Sequence, residues 1–143
     1  MGNDNKANGK SWIGFDLDGT LAEFIGWKGI EHIGKPVQKM CDKIKELHAQ
    51  GKEVKIVTAR VAPREGGDNP KEARRYIEEW CKRELGFVPE ITHEKDSHME
   101  CLYDDRAKQV IPNKGIPIEE AAKEAVVGKK NDSTKALKEY LEK

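Results

Sequence analysis

With 143 residues, and 26 Lys plus Arg matched by 26 Asp plus Glu, the chain fits one domain and carries no formal net charge. That balance excludes a global pull toward nucleic acid or an anionic membrane, so no stable nucleic-acid complex is expected and any attraction for phosphate must be local. No apolar run approaches a membrane span, and nothing at the start has the pattern of a secretion signal.

Residues 1–10 are polar and read as a flexible leader before a single domain over residues 11–143. Trp12 to Phe15 is a short, partly apolar run that reads as a first strand ending at Asp16. From Val37 to His48 the residues Val37, Met40, Cys41, Ile44 and Leu47 recur at helical spacing after Pro36, and Gly51 stops that helix. Val54 to Val57 reads as a second strand ending at Thr58. A loop at Glu65–Pro70 leads into an amphipathic helix with Ala73, Tyr76, Ile77, Trp80 and Cys81 on one face. Phe87 to Thr92 predicts a third strand, with Pro89 arguing for a short or edge one. Cys101 to Tyr103 predicts a fourth, ending at Asp104, and Gln109 to Ile111 a fifth, ended by Pro112. Ile118 to Val127 reads as a helix, followed by a last helix from about Ser133, which could cap it.

Strands alternating with helices predict an α/β fold with a mostly parallel sheet covered on both faces. Ligands bind beyond the carboxyl ends of such strands. Asp16, Thr58 and Asp104 each follow directly on a predicted strand, and Lys95 lies a few residues past one.

The chemistry follows from residue types. In Asp16-Leu17-Asp18-Gly19-Thr20 the chain turns at Gly19, which allows both acids to face one pocket. One carboxylate can attack phosphorus; the other can protonate the departing alkoxide and later deprotonate water. Asp104 and Asp105 near Asp16 would repel one another unless a cation neutralised them, and Mg²⁺ favours such oxygen ligands. The Thr58 hydroxyl and a backbone N–H at that strand end can hold phosphoryl oxygens, and the Lys95 ammonium can offset charge in the transition state.

The ordered set resembles the haloacid dehalogenase superfamily of phosphohydrolases. Phe15-Asp16-Leu17-Asp18-Gly19-Thr20-Leu21 is similar to its first motif, Ile56-Val57-Thr58-Ala59-Arg60 to its second, Lys95 to its third, and Leu102-Tyr103-Asp104-Asp105-Arg106 to its fourth. The resemblance implies a Rossmann-like three-layer sandwich with a five-stranded sheet in the order 5-4-1-2-3. It implies Asp16 as nucleophile and Asp18 as acid/base. It places Mg²⁺ on Asp16, the Asp18 carbonyl and the fourth motif, Asp105 more directly than Asp104. The run Asp104–Asn113 is similar to small phage and bacterial members of the superfamily. Thr58-Ala59-Arg60 resembles the matching segment of polynucleotide kinase-phosphatases, which implies that Arg60 adds a charge-assisted phosphate contact, the alternative being an arginine that fixes the following loop. The implied substrate is a phosphorylated small molecule or a nucleic-acid end.

The gaps between the motifs hold no folded cap domain, so an open site is expected, with room for a second subunit of a homo-oligomer to close it. Phe24 to Ile30 reads as a flap beside the site, where Phe24 and Trp27 either pack on the sheet edge or stack on a substrate base. The three cysteines, Cys41, Cys81 and Cys101, are dispersed and form no C-x-x-C pair, which suits buried thiols and a reducing, cytoplasmic setting. Two rivals remain at this point. One is a receiver domain, whose acid pair would come first in the chain rather than last; the other is a scaffold that binds phosphorylated ligands without turnover.

Overall fold

The computed structural model describes residues 11–143, and the expected leader, residues 1–10, lies outside them. Two compact units are present, one ending at Asp105 and one spanning Arg106–Lys143.

In the first unit, β1 (Trp12–Asp16), α1 (Gln38–Ala49), β2 (Glu53–Val57), α2 (Pro70–Glu84), β3 (Glu90–Thr92) and β4 (Met99–Tyr103) follow in chain order. The strands form one parallel sheet in the order β3-β2-β1-β4. Trp12, Ile13, Gly14 and Phe15 are all buried. Because successive side chains point to opposite faces, that run means that both faces of β1 are covered. Helix α1 buries Cys41 and Ile44, and α2 buries Ala73, Ile77, Trp80 and Cys81, the face that the periodicity predicts apart from the half-buried Tyr76. Asn69 caps α2 by accepting from the Lys71 N–H at 2.8 Å, with Pro70 in the first turn. These side chains and those of β1–β3 make one core, against which Ile30, Ile33, Met40, Leu47, Phe87 and Tyr103 pack.

The expected five-stranded sheet in the order 5-4-1-2-3 is corrected. The predicted fifth strand, β5 (Val110–Ile111), pairs antiparallel with β6 (Ile116–Pro117) in a separate two-stranded sheet. Asn113 at φ 64° and Gly115 at φ 70° turn the chain between them, so Val110 and Ile111 are taken up by a local hairpin.

The second unit continues with α3 (Ile118–Val126) and α4 (Asp132–Leu141). Ile111, Ala121, Ala136 and Leu137 form its own small core. The cap of α4 is Asn131 rather than Ser133. Its side chain accepts from the Thr134 N–H at 3.0 Å, while its own N–H donates to the Thr134 hydroxyl at 3.0 Å. Cys41 and Cys81 are buried as expected, but Cys101 on β4 is exposed. Among the described residues no helix is long and apolar enough to cross a membrane.

Candidate functional site

β1 delivers Asp16 to the carboxyl end of the sheet, where the chain turns at once. The carbonyl of Leu17 accepts from the N–H groups of Thr20, Leu21 and Ala22, and the Gly19 N–H donates to the Ala22 carbonyl at 2.7 Å. Gly19 sits at φ 88°, and a Cβ there would run into the Asp105 carboxylate. Glycine at this position therefore serves both the turn and the close approach of the first motif to the fourth.

β4, the parallel neighbour of β1, delivers Asp104 and Asp105 to the same end. Asp16, Asp104 and Asp105 each present one carboxylate oxygen within 4.8 Å of the others. Oxygens shared by one Mg²⁺ stand roughly 3 to 4 Å apart, from bonds of about 2.1 Å at octahedral angles, so a small contraction would bring the trio to that geometry. The donor set is all oxygen, as Mg²⁺ prefers. Burial, the hydrogen bond with Asp105 and the charges of Asp104 and Asp105 together raise the Asp16 carboxyl from its ordinary value of 3.8 to about 7. A carboxyl held protonated by its neighbours, as Asp16 is, offers a site where a divalent cation can replace the proton.

Thr20 links these strand ends, a role the sequence reading did not assign although Thr20 closes the quoted motif. Its buried hydroxyl receives the Asp105 N–H at 3.1 Å and stands 3.2 Å from Asp105 Oδ1 and 3.5 Å from Asp16 Oδ2. With one proton to donate, it favours the shorter contact.

Asp18 is not in the acidic trio. Its side chain is gripped by Arg60, which donates from Nε to Oδ2 at 2.8 Å and from NH2 to Oδ1 at 2.9 Å. Arg60 comes from the 3₁₀ turn Ala59–Val61 after β2, where Thr58 acts as the cap. The Thr58 hydroxyl accepts from the Arg60 N–H at 3.1 Å, which leaves its own proton for another acceptor. The Thr58 N–H donates to the Thr92 carbonyl at 2.8 Å and so is not a phosphate donor. Lys95 is exposed on the loop between β3 and β4, with no salt bridge to another described residue. That loop is anchored by the Trp12 indole, which donates to Asp96 Oδ1 at 2.8 Å.

The segment expected as a flap, Phe24 to Ile30, lies within a folded-back loop, residues 22–37, that contains no helix. The Glu23 N–H donates to the Lys35 carbonyl at 2.8 Å, and the Trp80 indole donates to the Gly34 carbonyl at 3.0 Å. Phe24 and Trp27 do not pack away on the sheet edge: they are 48% and 55% exposed. The Trp27 ring instead lies 4.8 Å from the Arg60 guanidinium carbon. Flap, Asp18 and Arg60 enclose a cleft of about 260 Å³.

No protein-family model and no curated protein matches the chain. A solved structure of a conserved protein from Bacteroides thetaiotaomicron is similar at a TM-score of 0.45 and 23% identity, over 85% of this chain and 93% of that one. A likeness at that level says nothing of function.

Proposed function

We propose that the protein is a Mg²⁺-dependent phosphomonoesterase of the haloacid dehalogenase type, acting through an aspartyl-phosphate on Asp16. The observation that carries this reading is the convergence of Asp16, Asp104 and Asp105, from segments almost ninety residues apart, with one oxygen of each within 4.8 Å of the others. The order of the four motifs supports it, three at strand ends and Lys95 on the loop after β3.

In this reading an Asp16 oxygen bonds to phosphorus as the ester P–O bond breaks; the departing oxygen keeps the electron pair of that bond and takes a proton from Asp18. Water then attacks phosphorus with Asp18 accepting its proton, which returns Asp16 as a carboxylate and frees inorganic phosphate. Asp16, Asp104 and Asp105 would hold the metal, which when bound shields the nucleophile from the anionic phosphate. The Thr58 hydroxyl holds a phosphoryl oxygen, and Lys95 closes on the charged group once substrate is present. Arg60 serves Asp18 rather than the phosphate.

The test is release of phosphate from p-nitrophenyl phosphate with Mg²⁺. Sustained turnover that EDTA stops and Mg²⁺ restores, and that Asp16→Asn abolishes with the fold intact, is the expected result. Chelator-resistant turnover would reject the metal assignment, and stoichiometric labelling without turnover would leave a receiver-like acceptor.

A further inference from the structure

The Arg60 guanidinium is almost wholly committed to partners within the protein. Besides the two bonds to Asp18, NH1 donates to the Ile30 carbonyl at 3.2 Å and NH2 to the His32 carbonyl at 2.9 Å. Four of the five N–H groups that a guanidinium carries are thereby used. One face lies against Trp27, and the side chain is only 5% exposed. Reaching a phosphate from there would break a charge-assisted fork inside a shielded site, so a substrate-binding arginine is not what this geometry builds.

Asp18 and Arg60 both line the flap cleft, whose walls include Phe24, Ile33, Lys28 and Lys35. The cleft is therefore apolar on part of its wall, carries Lys28, Lys35 and the acid Glu23 on the rest, and is open to the carboxylate that would serve the leaving oxygen. We propose that this cleft receives the alcohol half of a phosphate monoester, an alcohol with an apolar face, and that Arg60 is the positioning residue that fixes Asp18 beside the leaving oxygen. The assignment rests on Asp18 acting as the acid of the reaction above.

A carboxylate offers about four lone-pair sites. The fork takes one on each oxygen and leaves one on each for proton exchange, while selecting a single orientation of the Asp18 side chain. Without the fork Asp18 rotates freely, and a correctly placed acid is lost although the group itself remains. Because the same guanidinium bonds the Ile30 and His32 carbonyls, the acid is also tied to the flap that walls the cleft.

The experiment compares two esters with Mg²⁺ present. p-Nitrophenolate leaves without a proton; the alkoxide of 2-phenylethyl phosphate needs one. For Arg60→Ala the first-turnover rate of alcohol release should fall about 100-fold or more on the phenylethyl ester, the scale of general-acid catalysis, while first-turnover release of p-nitrophenolate falls less than about tenfold; steady-state kcat falls on both, because Asp18 also activates the water. Arg60→Lys keeps the charge but not the fork, so it should show the same selective loss, and it supplies the reading if Arg60→Ala fails to fold. Equal first-turnover losses on the two esters, or a raised KM with kcat held, would overturn the positioning role and leave the phosphatase reading standing. Wild-type protein that hydrolyses neither ester would remove both.

Discussion

Thr20 and Asp105, 85 positions apart, meet at two contacts: the Asp105 N–H donates to the Thr20 hydroxyl, which stands 3.2 Å from Asp105 Oδ1. This pair joins the turn after β1 to the end of β4, and so sets the spacing of the acidic trio.

Thr20→Val keeps the shape and removes the hydroxyl, leaving the Asp105 N–H without its acceptor. An unpaired polar group of this kind costs about 1–3 kcal/mol, to be read as a lowered melting temperature. Loss of an outer partner of a metal ligand weakens metal binding by roughly 10–100-fold, to be read by Mg²⁺ titration of turnover. Unchanged Mg²⁺ dependence would detach Thr20 from the site.

Gly19→Ala should be more damaging to the site than its size suggests. The residue holds φ 88°, and the added methyl would meet the Asp105 carboxylate. The backbone strain alone is about 1–3 kcal/mol, and relief of the contact moves Asp105 away from Asp16. Turnover should fall to background at Mg²⁺ concentrations that saturate the wild type.

The Asp16 carboxyl, raised to about 7 chiefly by burial, makes two pH predictions for the metal-free protein. Between roughly pH 4 and 7 the folded state holds a proton that the unfolded chain has released, so the Asp16 contribution to stability is greatest at the acid end and falls as pH rises through that window. Melting scans in EDTA should show the decline, and Asp16→Asn should flatten it. Divalent-metal binding displaces the same proton, so affinity should climb with pH up to about 7 and then level off. A metal affinity independent of pH between 5 and 7 would place the cation elsewhere.

Gly34→Ala tests the flap. A Cβ at Gly34 would collide with the Glu23 backbone carbonyl, which neighbours the Glu23–Lys35 hydrogen bond. Relief requires the two sides of the flap to separate, at about 1–3 kcal/mol, the usual cost of overpacking. Hydrogen exchange at the Glu23 amide should quicken, while amides of β1 and β2 keep their protection.

Local pattern settled much of this molecule. The apolar periodicities place α1 and α2, a short partly apolar run places β1 and a β-branched one β2, and Asp16, Thr58 and Asp104 stand just beyond strand ends in the sequence pattern alone. Those signals are local because a helix or strand repeats its own geometry along the chain. What only the tertiary structure decided was the choice of partner. Val110 and Ile111 had strand character, but Asn113 and Gly115 turned them into a hairpin with Ile116 and Pro117 instead of a fifth parallel strand. Cys101 alternates as a strand residue should, yet its exposure depends on what covers β4 at the sheet edge. Arg60 carried charge that suited a phosphate, and packing turned it onto Asp18, 42 positions away. A side chain with several acceptors in reach takes the one that the fold brings nearest, and no periodicity in the sequence encodes that distance.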